Sequence, residues 1–256
     1  MNDLMLKEKV VVISGGTKGV GRAAAIECSR QGAKVVFGGR DSAAAEGILR
    51  QISSHGGEGR FVHTDLRHVQ HCERLFEQAA GDFGRVDGFI NYAGATSAAP
   101  LTECEEQLFD EVFETNIRAA FFCAKSAVRH MLKTGGGSIV MMGSLHAWRG
   151  EKDRAAYACS KGALVTLSEH IAHRYASNHI RCNLITMGWS PTEGELRIRA
   201  SNGMKPDQLR AMASGIISMG RMQEVEDYLP GIIYLLSDLS SMVTGSNLKI
   251  SGGLSL

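Results

Sequence analysis

Short apolar runs alternate down this chain with longer amphipathic stretches, and that alternation limits the fold more than any other feature. Lys9 to Ser14 is rich in β-branched residues and stops at a glycine cluster. Arg22 to Gln31 then reads as a helix, closed by Gly32 where a C′ glycine belongs. Further strands are expected over Lys34–Phe37, Arg60–Asp65, Val86–Asn91, Ser138–Gly143, Ile180–Ile185 and Asn247–Ile250. Helical patterns fall over Ser42–Ser53, Val69–Phe83, Glu105–Lys133, Tyr157–Ser177 and Glu226–Ser237. Strands apolar on both faces and separated by helices imply a parallel sheet covered on each side. Right-handed crossovers turn that into an α/β, doubly wound parallel sheet, a Rossmann fold.

At 256 residues one such domain accounts for the chain, and no Pro/Ser linker, low-complexity run or charge block marks a boundary. The one break in composition is Pro191 to Arg221, which is polar, Met-bearing and irregular. Residues 191–221 are therefore expected to form a lid over the site rather than a surface excursion. With 44% hydrophobic and 21% charged residues the chain can bury a sizeable core. Twenty-eight Lys+Arg against 27 Asp+Glu leave a net charge of +1, with no general attraction to nucleic acid or an anionic membrane. No apolar stretch reaches the roughly 18 residues of a membrane span, and the first ten residues lack the apolar core of a signal peptide. The six cysteines have wide, irregular gaps and no CxxC pair, which reads as separate buried thiols in a reducing cytoplasm.

Ser14-Gly15-Gly16-Thr17-Lys18-Gly19-Val20-Gly21 follows a strand and opens a helix. Gly15, Gly19 and Gly21 let the backbone turn sharply and approach a pyrophosphate. The helix beginning near Val20 aims free N–H groups at the phosphates. An NAD-binding chain would carry Asp or Glu at the end of the second strand; this one has Gly38-Gly39-Arg40. A guanidinium there suits a 2′-phosphate, and Lys18 is within reach of the same group, so NADP(H) is favoured. NAD(H) stays possible if Arg40 is a solvated turn residue screened by Asp41. Thr64-Asp65-Leu66 ends the third strand, beside the adenine, and Asn91-Tyr92-Ala93-Gly94 ends the fourth, where Ala93 and Gly94 leave room for a ribose.

Tyr157 and Lys161 are four residues apart on a helix and so share a face. A phenol with a pKa near 10 is a poor base at neutral pH, and a neighbouring ammonium stabilises its phenolate. Ser144 ends a strand, where its hydroxyl can bind a substrate oxygen. On the glycine loop, Asn91-Tyr92-Ala93-Gly94, Asn116, Ser144, Tyr157, Lys161 and the tail Thr244-Gly245…Ile250-Ser251-Gly252-Gly253, the chain resembles the classical short-chain dehydrogenase/reductase family over almost its whole length. The resemblance implies an oxidoreductase with a Ser144/Tyr157/Lys161 triad completed by Asn116. Tyr157 would be the acid/base, Ser144 would hold the substrate oxygen, and Lys161 would bind the nicotinamide ribose. Asn116 would kink its helix and hold a water in the proton relay. The cofactor set becomes Gly15, Thr17, Lys18, Gly19, Val20, Gly21, Arg40, Asp65, Leu66, Asn91, Ala93 and Gly94, joined by Tyr157, Lys161, Gly188 and Thr192. The resemblance further implies a homotetramer, built on the helices Glu105–Lys133 and Tyr157–Ser177 and on the last strand.

Two departures stand out. Met187-Gly188 replaces the family's usual Pro-Gly, which predicts a softer turn at the root of the lid, and Ser14 replaces a commoner Thr. The loop Leu145–Arg154 is polar and charged, and with Trp189 from the lid side it favours a small polar hydroxyl or keto compound: a sugar, polyol or hydroxy acid. His146, Trp148, Arg149 and Trp189 are its candidate contacts. The alternatives are an NAD(H)-dependent sugar or polyol dehydrogenase and a nucleotide-sensing binding protein without turnover. His63, His68, His71 and Cys72 cluster in sequence, but only His68 and His71 share a helical face, and no metal site is expected. Arg129, His130 and Lys133 suit a helix C-terminus, and His170 and His173 lie more than three turns past Tyr157.

Overall fold

The computed structural model describes residues 4–150, 152–191, 196 and 203–254. Seven strands form one parallel sheet in the order β3-β2-β1-β4-β5-β6-β7: β1 Val10–Ser14, β2 Lys34–Gly39, β3 Gly59–His63, β4 Gly88–Asn91, β5 Gly137–Ser144, β6 Ile180–Met187 and β7 Asn247–Ile250. The helices are α1 Gly19–Arg30, α2 Ser42–Ser54, α3 Val69–Phe83, α4 Glu106–Phe113, α5 Ala119–Thr134 and α6 Ala155–Tyr175, then α7 Pro206–Ile216 and α8 Leu229–Leu236.

Side-chain alternation along the strands builds two cores. Val10 and Val12 of β1, with Ile139 and Met141 of β5, face α3, α5 and α6. Their neighbours Val11, Ile13, Val140 and Met142 face α1, α2 and α8. All five residues of β1 are buried, as a central strand of a doubly wound sheet requires. Strand order reverses between β1 and β4, where Ser14 pairs in register with Gly38 on one side and Asn91 on the other. A cleft opens at such a switch point, over the carboxyl ends of the strands.

Four elements differ from the sequence expectation. α1 starts at Gly19 rather than Arg22. The helical pattern over Glu105–Lys133 is α4 and α5 joined by a π turn, Glu114–Arg118, with Asn116 at its centre. The last helix opens with a 3₁₀ turn, Val225–Tyr228. Within 191–221, read as irregular, the described residues include α7, which packs Leu209 and Ala213 with Ile217 and Met222 against Trp189, Leu196, Met204 and Leu254. No described helix is long and apolar enough to cross a membrane.

Candidate active site

A cleft of about 1180 Å³ runs over the carboxyl ends of the strands, from the glycine loop to the first turns of α6. At one end stand Gly15, Thr17, Lys18 and Gly19, with Arg40 and Asp41 after β2 and Asp65 and Leu66 after β3. At the other stand Ser144, His146, Arg149, Tyr157, Lys161, Gly188 and Trp189. Ala93 and Gly94 line the middle.

The glycine loop is shaped by close packing. Gly15 has φ +74°, and a Cβ there would lie 2.8 Å from the Ala93 backbone. A Cβ on Gly21 would meet the Gly15 carbonyl oxygen at 2.4 Å, so α1 can seat against the loop only with glycine at 21. Tyr92 fills the space beneath, its hydroxyl 2.5 Å from where a Gly19 Cβ would stand. The result points the N-terminus of a 12-residue helix into the cleft, the geometry that binds phosphate.

Charged groups flank this loop. Asp41 caps α2 by accepting the Ala44 N–H at 3.0 Å, and its other oxygen lies 3.8 Å from Lys18 Nζ. Arg40 is exposed. Asp65 is gripped by Arg67, whose Nε reaches its two oxygens at 2.9 and 3.1 Å. That hydrogen-bonded guanidinium holds the Asp65 carboxyl well below the usual carboxylate range. The Asp65 N–H donates to His71 Nδ1 at 3.0 Å, which gives that ring a structural task beside the cleft. His68 stacks edge-on against it, centroids 5.3 Å apart.

At the catalytic end, Lys161 is buried at the floor and donates to the Met142 carbonyl oxygen at 3.0 Å. Burial pushes its ammonium down to about 8. Its Nζ lies 5.7 Å from the Tyr157 ring centre. Ser144 Oγ accepts the His146 N–H at 3.3 Å, which leaves the hydroxyl proton available to donate to a substrate oxygen. The His146 and Tyr157 rings meet edge to face at 5.7 Å. Asn116 is buried; its Oδ1 accepts the Ala95 N–H at 2.6 Å, and its Nδ2 donates to Ala95 O at 3.0 Å and Ser160 Oγ at 2.9 Å. The kink expected at Asn116 is the π turn, a common cause of helix bending.

Several expected residues do not line the cleft. Val20 turns into the core behind the loop, and Gly21 packs on Gly15. The Asn91 carboxamide is held by Ser14 Oγ at 3.1 Å, while the Asn116 side chain is spent on Ala95 and Ser160. Trp148, expected to touch substrate, follows the 3₁₀ turn Leu145–Ala147 and points outward, 53% exposed. Thr192 lies outside the described residues. The turn after β6, which lacks the family's proline, is tied by hydrogen bonds. The Gly188 N–H donates to Ile250 O at 2.9 Å, the Gln223 N–H to Trp189 O at 3.1 Å, and Ser190 Oγ meets the buried Tyr228 hydroxyl at 2.6 Å. Conversely, Glu111 lines the cleft from outside every motif read in the sequence, while Tyr92 of the Asn91–Gly94 motif and Arg154 of the Leu145–Arg154 loop line it without having been given a role. Arg154 stands three residues before Tyr157, at the N-cap of α6.

The residues present suit a dinucleotide: a phosphate-binding helix terminus, two cations beside it, and the buried Thr64 Oγ1 on the cleft wall without a protein partner. Comparison with known proteins agrees. The family described as Enoyl-(Acyl carrier protein) reductase matches residues 15–255. A 7alpha-hydroxysteroid dehydrogenase of Clostridium sardiniense is 31% identical over 98% of this chain and 95% of its own. An L-rhamnose 1-dehydrogenase (NAD(P)(+)) of Azotobacter vinelandii is 31% identical over 98% of each. Among solved structures, a Beutenbergia cavernae protein assigned as an NAD(P)-dependent gluconate 5-dehydrogenase, with NADP bound at low occupancy, superposes with a TM-score of 0.90, at 30% identity over 98% of both chains. A short-chain dehydrogenase/reductase of Serratia marcescens gives 0.89, at 27% identity over 98% of this chain and 100% of its own. The fold, the cleft and these likenesses place the chain in the classical short-chain dehydrogenase/reductase family, oxidoreductases that act on CH–OH and C=O groups with a nicotinamide dinucleotide.

Proposed function

We propose that the protein interconverts a small polar secondary alcohol and its ketone with NADP(H), using Tyr157 as acid and base. One observation carries this reading: a single cleft joins the glycine loop, flanked by Lys18 and Arg40, to Ser144, Tyr157 and Lys161. The loop backbone from Gly15 to Gly19 holds the pyrophosphate, and Asp65 and Leu66 hold the adenine. Ala93 and Gly94 bound a ribose, and Lys161 and Gly188 hold the nicotinamide half. Lys18 and Arg40 receive the 2′-phosphate. Arg40 makes no hydrogen bond or ion pair among the described residues and faces the cleft. A carboxylate at Gly39, by contrast, would start from a Cβ only 2.7 Å from the Thr17 side chain.

The nicotinamide, when bound, accepts or supplies the hydride. In the oxidation direction Ser144 orients the substrate hydroxyl and Tyr157 Oη takes its proton. The Lys161 ammonium stabilises the phenolate that takes part in this transfer. Lys161 spends one of its three donors on Met142 O, so others remain for ribose hydroxyls. Residues 191–221 act as a lid, with Met212 and Ile216 of α7 bringing apolar surface to the cleft. The polar catalytic end suits a sugar, polyol or hydroxy acid better than a steroid, and relatives include the rhamnose enzyme and a cis-4-hydroxycyclohexanecarboxylate dehydrogenase of Sinomonas cyclohexanicum. Exposed Phe109 and Phe121 on α4 and α5, and exposed Leu248 on β7, support a homotetramer. The cysteines among the described residues are all unbridged, in keeping with a cytoplasmic location.

NAD(H)-dependent sugar or polyol oxidation is the second reading, favoured by the Asp41 oxygen 3.8 Å from Lys18 Nζ, which draws that cation away from a 2′-phosphate. A sensor without turnover would have no use for the Ser144/Tyr157/Lys161 set. Tyr157→Phe tests the mechanism: turnover should fall by about 10²–10⁴ while dinucleotide binding is kept. Unchanged turnover in that variant overturns the reading.

A further inference from the structure

His71 and Cys72, neighbours on the first turn of α3, hold the corner Asp65–Leu66 that lines the cleft after β3. His71 Nδ1 accepts the Asp65 N–H at 3.0 Å, and Cys72 Sγ donates to the Leu66 carbonyl oxygen at 3.3 Å. The Asp65 carbonyl oxygen accepts the His68 N–H at 3.1 Å, and the Asp65 carboxylate is held by Arg67. The Leu66 N–H makes no hydrogen bond among the described residues, so this pinned corner keeps one backbone donor for the edge of a base.

An imidazole nitrogen accepts a hydrogen bond only while it is unprotonated, and in the imidazolium both nitrogens are donors. Histidine is the side chain whose charge ordinarily changes between pH 5 and 8. A proton on His71 Nδ1 would set donor against donor at the Asp65 N–H, and the corner would lose one of its two side-chain ties to α3. Other titratable and charged groups stand around this ring. His68, at the N-cap of α3, meets it edge-on, centroids 5.3 Å apart, and Arg74 of α3 donates to the His63 carbonyl oxygen. The corner supplies Asp65 and Arg67, and the loop after β2 supplies Arg40, whose charge acts on Asp65. α4 and the π turn bring Glu111 and Glu114, which act on Arg67, and Arg118, which donates to the Arg67 carbonyl oxygen. α5 brings Cys123 beside Cys72.

We propose that neutral His71 is a positioning residue for dinucleotide binding, fixing the Asp65–Leu66 corner at the adenine end of the cleft, and that a proton on its ring loosens that end. This rests on the dinucleotide reading of the cleft and adds a proton linkage to it. Binding selects the neutral ring, so a proton passes to solvent when the dinucleotide docks in mildly acidic solution.

The test titrates the full chain calorimetrically with NADP⁺, or with NAD⁺ if that binds more tightly, between pH 7.5 and 5.5. Two buffers of different ionisation enthalpy give affinity and proton release together. His71→Asn places an amide oxygen near the position of Nδ1, an acceptor that does not titrate. The ratio of its affinity to that of the wild type removes titrations common to both, a 2′-phosphate and His146 among them. That ratio should lie within twofold of one at pH 7.5 and reach about fivefold at pH 5.5, the worth of one such hydrogen bond. At pH 6 the wild type should release more protons per dinucleotide than His71→Asn. His71→Leu, which has no acceptor, should bind more weakly than the wild type at pH 7.5, and His68→Asn should keep the wild-type profile. A flat ratio, equal proton release by the wild type and His71→Asn, or a profile lost in His68→Asn overturns the proposal and leaves the dinucleotide reading standing. A wild type that binds neither dinucleotide at any pH rejects that reading, and the proposal with it.

Discussion

Lys161 Nζ donates to the Met142 carbonyl oxygen at 3.0 Å, tying the middle of the active-site helix to the strand that ends in Ser144. The ammonium is thereby held out of water, and burial lowers its pKa from 10.5 to about 8. Between these values the unfolded chain holds the proton and the folded chain does not, so stability rises with pH through that window. The contribution is fully present above 10.5 and is lost as the pH falls through about 8. The gap corresponds to about 3 kcal/mol. Urea unfolding of the wild type and Lys161→Met should therefore show the wild type gaining about that much relative to the variant from pH 8 to 10.5. A difference that stays flat across the window would contradict the assignment.

The seat of α1 against the glycine loop leaves no room for a methyl group at Gly21, where a Cβ would stand 2.4 Å from the Gly15 carbonyl oxygen and 2.7 Å from Tyr92 Cδ1. Both neighbours are fixed, the first by backbone. Gly21→Ala should cost about 1–3 kcal/mol of stability through overpacking and should weaken dinucleotide binding at least tenfold. Calorimetric unfolding and a dinucleotide titration on the same sample check the two effects together. Near-wild-type values for both would show that the loop yields more easily than its packing implies.

Where the family usually places proline, this chain holds its β6 turn through Ser190 and Tyr228, oxygen to oxygen at 2.6 Å. Burial pushes the Tyr228 phenol up to about 12, so it stays neutral and available for this hydrogen bond at ordinary pH. Tyr228→Phe leaves the buried Ser190 hydroxyl without that partner and should cost about 1–3 kcal/mol. Limited proteolysis should then cut more readily at the β6 turn, around Trp189 and Ser190, before the rest of the chain. Wild-type stability with an unchanged cleavage pattern would remove Tyr228 from the anchoring of the turn.

The alternation of apolar and amphipathic stretches made the sheet legible, because a parallel strand buried on both faces leaves an unbroken apolar run. α3 and β7 fall where their patterns place them. The π turn at Asn116 left no trace in the pattern, since one inserted residue shifts the helical face without breaking its apolar periodicity. α7 was missed because its buried stripe is short, essentially Leu209 and Ala213 in a polar, Met-bearing stretch. In the site, the glycine loop and the Tyr157–Lys161 pair were readable because both are local spacings. Glu111 reaches the cleft from α4, far in sequence from the strand ends it joins, and only the fold brings it to their wall. The expectation for Trp148 fails for the converse reason: nearness to Ser144 along the chain did not fix the direction of its side chain.

The most direct test of a phosphorylated-dinucleotide site set before the Tyr157–Lys161 pair is a fluorescence titration of the wild-type protein with NADPH and with NADH at low salt. With Arg40 and Lys18 on the 2′-phosphate, NADPH should bind at least tenfold more tightly, and Arg40→Asp should abolish that margin. Equal affinities, or tighter NADH binding by the wild type, would contradict the phosphate site and return the cleft to an NAD(H)-linked oxidation.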